Sequence, residues 1–139
     1  MDCVFCKILA GELPESSVYE DEHVLAFMDI QPVNPGHVLV IPKLHASNLG
    51  DLPSELGGEM FVVAQRVAAA IRSSGLRCEG VNFFLADGEA AGQEVFHVHL
   101  HVFPRFEGDG FGLKFGPGYK NKPSRAELDL AAANIQSAL

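Results

Sequence analysis

Three of the six histidines in this 139-residue chain fall at alternate positions within five residues, in Val95-Phe96-His97-Val98-His99-Leu100-His101-Val102-Phe103-Pro104-Arg105. Strict alternation with strand-forming neighbours predicts a half-buried β-strand over 95–105. Side chains on a strand alternate between faces. His97, His99 and His101 therefore share one side, and Phe96, Val98, Leu100 and Val102 share the other. Pro104 has no N–H for a ladder and is expected to end the strand. A single metal bound by all three rings is disfavoured. His97 and His101 start about 13 Å apart on an extended strand, whereas Zn–N bonds are about 2.0–2.1 Å. The three rings are expected to do different work.

The preceding stretch, Ala86-Asp87-Gly88-Glu89-Ala90-Ala91-Gly92-Gln93, is a small-residue loop. Gly88 and Gly92 allow backbone shapes that turn N–H groups inward, a concavity suited to phosphate. Gln93 adds a neutral hydrogen-bonding group beside the imidazoles. Neutral donors next to a nucleophile fit phosphoryl chemistry, in which positioning and charge stabilisation supply most of the rate.

Three cysteines do not make a disulfide framework in a chain of this kind. Cys3 and Cys6 have the spacing of a metal or redox pair. No strand precedes Cys3, which weakens the redox reading. A closed tetrahedral zinc needs two further ligands, for which His23, His37, His45 and an end member of the histidine row are candidates. Cys3, Cys6, His45 and His97 together would tie the first helix to the sheet.

The remaining pattern predicts a helix over 3–10, strands over 16–20, 22–30 and 37–42 forming a hairpin or meander, and a helix opened by Pro53. Met60, Val63, Ala64, Val67, Ala68 and Ile71 form one stripe on that helix. A strand over 80–85 follows. Ser124 and Glu127 match a capping box for a last helix ending near Ser137. The order predicts an α+β fold: a single domain over 1–139, with a core over 1–106, a tail and helix over 107–139, and helices on one face of an antiparallel sheet. A net charge of −8 disfavours long nucleic acids, which require a basic footprint. No apolar run is long enough to span a membrane, and Met1-Asp2-Cys3 carries an acidic residue where a secretory signal has a basic n-region, so no secretory signal is expected. A cytoplasmic protein is the expectation.

The row His97-Val98-His99-Leu100-His101-Val102-Phe103 resembles the signature of the histidine-triad (HIT) family of nucleotide hydrolases and transferases. The likeness covers roughly 3–106. It includes the start at Cys3, Ala26-Phe27-Met28-Asp29-Ile30, Val38 to His45 and Ala91-Gly92-Gln93-Glu94-Val95. The cysteine pair and Phe103-Pro104-Arg105 are similar to the small Hint-type branch in a bacterial-style form.

The resemblance implies a sheet of about five strands with helices packed against it, continued across a homodimer. It implies cleavage of purine nucleoside phosphoramidates, dinucleoside polyphosphates or related conjugates through a nucleotidyl-histidine. His99 would be the nucleophile, and His101 and Gln93 would contact the phosphate. The loop at Gly92, Gln93, Glu94 and Val95 would cradle that phosphate. Val4, Phe5, Ile8, Phe27 and Ile30 would line the base pocket, and Asp29 would hold the ribose hydroxyls. Cys3, Cys6, His45 and His97 match the ligands of a structural zinc. Two positions depart from the pattern: Ala86 stands where an asparagine is common, and Glu94 stands where Ser or Thr is common. The alternatives are a nucleotide-binding regulatory protein with little turnover and a metal enzyme using the row as ligands. Two long helices and a better thiol site argue against the metal enzyme.

Overall fold

The computed structural model describes residues 2–139, which divide along the chain into two compact units, the first ending at Asp109 and the second starting at Gly110. In the first, the elements run α1 (Val4–Leu9), β1 (Ser17–Glu20), β2 (Val24–Met28), β3 (Val38–Pro42), α2 (Ser54–Ser73), β4 (Gly80–Phe84) and β5 (Leu100–Arg105). The five strands make one antiparallel sheet in the order β1-β2-β3-β5-β4. The first three are the expected meander. α2 then crosses over to β4 at the far edge, and β5 fills the gap between β3 and β4.

The six residues of the α2 stripe, Met60, Val63, Ala64, Val67, Ala68 and Ile71, are all buried. They pack on Val24, Ala26, Val38, Val40, Val98, Leu100 and Val102 from the sheet. Burying side chains of this size contributes roughly 1.5–3 kcal/mol each for the larger ones, so this face carries most of the core. The sequence predicts helices on one face of the sheet, but they cover both. Residues of opposite parity, Leu25, Phe27, Leu39 and Ile41, pack with Cys3 and Phe5 in a second cluster. α1 therefore lies across the sheet from α2. The strand period requires this outcome, because β2 and β3 are apolar at every position and both of their faces need cover.

The histidine strand is shorter than its pattern. β5 begins at Leu100, and His97 to His99 lie outside the ladder. Pro42 is the physical reason. Its carbonyl faces the segment and accepts from His97 Nε2 at 2.8 Å, and it has no N–H with which to continue the pairing. Val98 N–H instead donates to the Ala46 carbonyl at 2.8 Å. The alternation persists without the ladder, since Val98, Leu100 and Val102 all face α2. Phe96 breaks it: its ring is 46% exposed and is not part of the core. Pro104 does not end the strand either. It sits inside β5 opposite Val81 of β4, beyond the last β3 partner at Val102.

The second unit, Gly110–Leu139, contains α3 (Arg125–Ala138). Both halves of its capping box are present: Ser124 Oγ accepts from Glu127 N–H at 3.1 Å, and Ser124 N–H donates to Glu127 Oε2 at 3.2 Å. Among the described residues, no helix is long and apolar enough to cross a membrane.

Candidate functional site

The face opposite α2 brings together two groups of side chains with the His99 ring between them. The first begins at α1. Cys3 is the N-cap of this helix, with Sγ accepting from Cys6 N–H at 3.4 Å. Cys6 follows one turn later. Their sulfurs meet two imidazoles: Cys3 Sγ is 3.5 Å from His97 Nδ1, and Cys6 Sγ is 3.4 Å from His45 Nδ1 and 3.7 Å from His97 Nδ1. The two Nδ1 atoms are 3.2 Å apart. A tetrahedral zinc with bonds of about 2.3 Å to sulfur and about 2.0–2.1 Å to nitrogen requires S–N edges near ~3.6 Å and N–N edges near ~3.3 Å. The four separations match these edges, and all four donor atoms lie within 4.8 Å of one another, so they fit the ion. His97 Nε2 faces the Pro42 carbonyl, which only accepts. The ring proton is thus on Nε2, and the Nδ1 lone pair is turned to the ligand position, the second-sphere arrangement usual for a metal-bound histidine. His97 is fully buried, and that burial holds its pKa below the usual imidazole value. Burial, followed by the neighbouring Cys3, pushes the Cys6 thiol up. The other candidates for this set lie elsewhere: His23 is exposed and pairs with Glu59 at 3.0 Å, and His37 belongs to the second group.

The second group starts at His37, just before β3. Its Nδ1 accepts from Val33 N–H at 2.9 Å. The neutral ring therefore carries its proton on Nε2, which lies 2.8 Å from His101 Nδ1 and 3.4 Å from Asp29 Oδ2. His101 Nδ1 accepts, and this places the His101 proton on Nε2. His37, His101 and Asp29 are close enough to suggest a cation site. The tautomers argue against one. A His37 that accepts at Nδ1 and ligates at Nε2 would have lost both protons. Burial first, then the rings of His99 and His37, lowers the His101 pKa to about 4, while Asp29 opposes the shift. His37 is lowered by burial in the same way. Both rings are neutral near pH 7.

His99 stands between the groups. Its Nδ1 donates to the His97 carbonyl at 2.7 Å, which in the neutral ring puts the lone pair on Nε2. That carbonyl is available because the segment has left the ladder. His99 and His101, with ring centroids 5.0 Å apart, are thus opposite tautomers. One offers a lone pair at Nε2 and the other offers an N–H at the same atom.

The structure distributes the remaining sequence candidates unevenly. Phe5 and Phe27 are buried edge to face at 5.6 Å, with Ile8 half-buried beside them. Val4 is 41% exposed and Ile30 97% exposed. Asp29 accepts from Gln31 N–H through Oδ1 at 2.8 Å. Gln93 is buried and its amide is fully used: Oε1 accepts from Gly88 N–H at 2.7 Å, and Nε2 donates to the carbonyls of Ser47 at 2.7 Å and Val95 at 3.1 Å. Gln93 thus closes the glycine loop, where the sequence suggested a direct phosphate contact. The loop amides are likewise shared out. Those of Ala91, Gly92 and Gln93 donate within the loop, while those of Glu94 and Val95 have no protein acceptor among the described residues. Gly88 and Gly92 have φ of 100° and 92°, a backbone that L side chains rarely adopt. The Glu94 side chain is exposed.

Sequence reasoning missed the part His37 plays, having considered that residue only as a metal ligand. Its placement depends on the pairing Val38↔Val102 and Leu39↔His101, which no local pattern reports.

Residues 10–108 match the HIT domain family. The chain is 50% identical over 112 residues to Protein hit of Bacillus subtilis, covering 80% of this chain and 77% of that protein. It is 40% identical over 109 residues to adenylylsulfatase HINT3 of Arabidopsis thaliana, covering 78% of this chain and 54% of that longer protein. Among solved structures, a HIT family member from Bacillus subtilis superposes with a TM-score of 0.90 at 42% identity, covering 100% of this chain and 98% of the other. A zinc-bound histidine triad family protein from Mycobacterium smegmatis gives 0.77 at 45% identity, covering 100% and 99%. With the row His97-His99-His101 leading into the β5 strand of a five-stranded antiparallel sheet of this topology, the chain belongs to the HIT domain family.

Proposed function

We propose that this protein is a nucleotide hydrolase or transferase that cleaves nucleoside phosphoramidates, dinucleoside polyphosphates or related purine nucleotide conjugates through a covalent nucleotide on His99. The observation that carries the reading is the pair of opposite tautomers. A neutral imidazole with its Nδ1–H tied to a carbonyl is a nucleophile at Nε2. The neighbouring His101 presents an N–H to the charge that develops on a phosphoryl oxygen. His99 Nε2 forms the N–P bond while the bond from phosphorus to the leaving group breaks, the leaving group taking the electron pair and, where it is an amine, a proton from solvent. Water then attacks phosphorus and releases a proton to solvent, the N–P bond breaks so that His99 regains its lone pair, and the nucleoside monophosphate departs. Covalent catalysis divides one difficult displacement into two easier ones. The unspent amides of Glu94 and Val95, held in place by Gln93, supply further donors. Phe5, Ile8 and Phe27 offer an apolar wall for a purine, and Asp29 an acceptor for ribose hydroxyls. The relationship to an adenylylsulfatase supports a nucleotide conjugate as the substrate class.

Cys3, Cys6, His45 and His97 would hold a zinc ion. With four protein ligands no position remains for water or substrate, so the ion's contribution is to stability. A homodimer would continue the sheet at the β4 edge, where Phe83 is exposed beside Phe61.

The test is to mix the protein with adenosine 5′-phosphoramidate, quench in mild base and seek the adenylyl adduct by mass spectrometry. The adduct is expected on His99, with turnover reduced at least about 10³-fold in His99→Ala. Full turnover in His99→Ala without an adduct would overturn the proposal. Tight nucleotide binding without turnover would favour a regulatory protein.

A further inference from the structure

We propose that the Cys3/Cys6/His45/His97 centre positions the nucleotide site through Phe5, so that metal and nucleotide bind with positive linkage. The inference rests on the nucleotide reading above. α1 has six residues, and a helix this short has no stability of its own. Besides the partly buried Ile8 and Leu9, its links to the sheet are the two sulfurs directed at His45 and His97 and the Phe5 ring between them in sequence. That ring lies edge-on to three partners: His97 at 5.8 Å, His99 at 5.1 Å and Phe27 at 5.6 Å. A single side chain thus touches a metal ligand, the proposed nucleophile and the proposed base wall.

A second route runs through the backbone. His97 offers Nδ1 to the metal position, while its carbonyl takes the Nδ1–H of His99. A displacement of His97 on metal loss therefore moves the acceptor that fixes the His99 tautomer. A metal that fastens both cysteines to both histidines holds α1 down, keeps Phe5 on His99 and completes the pocket before the nucleotide arrives. Phe5 is then a positioning residue as well as a wall.

Linkage requires the same factor in both directions. Titrating zinc-loaded and chelator-stripped protein with adenosine 5′-monophosphate in a calorimeter should show affinity about tenfold weaker without metal. Competition against a chromophoric chelator should show zinc held about tenfold tighter when that nucleotide is saturating. The cobalt-loaded protein gives a readout that does not depend on the stripped chain remaining folded. Its visible bands, which report geometry at the thiolates, should shift along the nucleotide saturation curve. In Phe5→Leu, with one metal still bound per chain, the spectral shift should shrink. Equal nucleotide affinity with and without metal, or bands unmoved at saturation, overturns the inference and leaves the nucleotide reading intact. Failure of the zinc-loaded protein to bind the nucleotide at all overturns both.

Discussion

His97 and His101 are four residues apart on one face of the same strand direction, yet their surroundings use the imidazole in opposite senses. At His97 the proton is on Nε2, bonded to the Pro42 carbonyl, and Nδ1 converges with two sulfurs and another Nδ1. At His101 the Nδ1 is occupied by a hydrogen bond from His37, and Nε2–H is directed away from that partner. One group has four donors converging as a cation requires; the other is a chain of hydrogen bonds whose protons are already assigned. The difference arises from neighbours far away in sequence: α1 and the segment after β3 at one end, the turn before β3 at the other. A histidine motif thus specifies spacing, and the partner of each ring specifies its task.

Removing the thiols should break the comparison most severely. Cys3→Ser combined with Cys6→Ser should abolish metal binding and cost about 4 kcal/mol or more, the range reached when a structural metal is lost. Urea unfolding alongside metal analysis measures both. A metal-free wild type that unfolds at the same urea concentration as the loaded protein would show that the converging donors have no structural part.

The other group should respond in activity with little change in stability. In His37→Phe the Nε2–H donor is gone and His101 is free to move its proton to Nδ1, which turns a lone pair toward the phosphate. The expected loss is about 10²-fold in kcat/KM, comparable with removal of one oxyanion donor, with one metal per chain retained. If His37→Phe also lost its metal, the two groups would not be separate devices.

Much of this arrangement could be read from the sequence, and what could not has a physical cause. The α2 stripe was legible residue by residue, because a 3.6-residue period with one buried face leaves little choice. The zinc set was legible as ligand chemistry, since a thiol pair needs two partners and histidines were few. The early end of β5 was not legible. It depends on Pro42 lying opposite the segment after Val40 pairs with Leu100, and register is a tertiary property. The same register hides His37. Gln93 was legible as polar and near the site, but whether a buried amide faces a ligand or its own loop depends on which backbone groups lack partners.

A pH dependence of stability sharpens the contrast further. Burial and the adjoining rings lower His101 to about 4, while the unfolded chain titrates near the ordinary value of 6.5. Between these limits the unfolded state binds more protons than the folded one, so stability rises with pH across the window and falls as pH drops from 6.5 toward 4. At 1.36 kcal/mol per pH unit, the contribution is at most about 3 kcal/mol, less some screening, because the His101 side chain is 21% exposed. It is complete above pH 6.5 and absent below about 4. His37, lowered by burial, adds in the same sense. Replacing His101 by Gln keeps a hydrogen-bonding side chain but removes the titration. Urea unfolding at several pH values should therefore show a shallower slope for His101→Gln than for wild type between pH 4 and 6.5, and parallel curves above. Identical slopes would mean that His101 is protonated in the folded protein as readily as in water, and the neutral donor assigned to it would have to be abandoned.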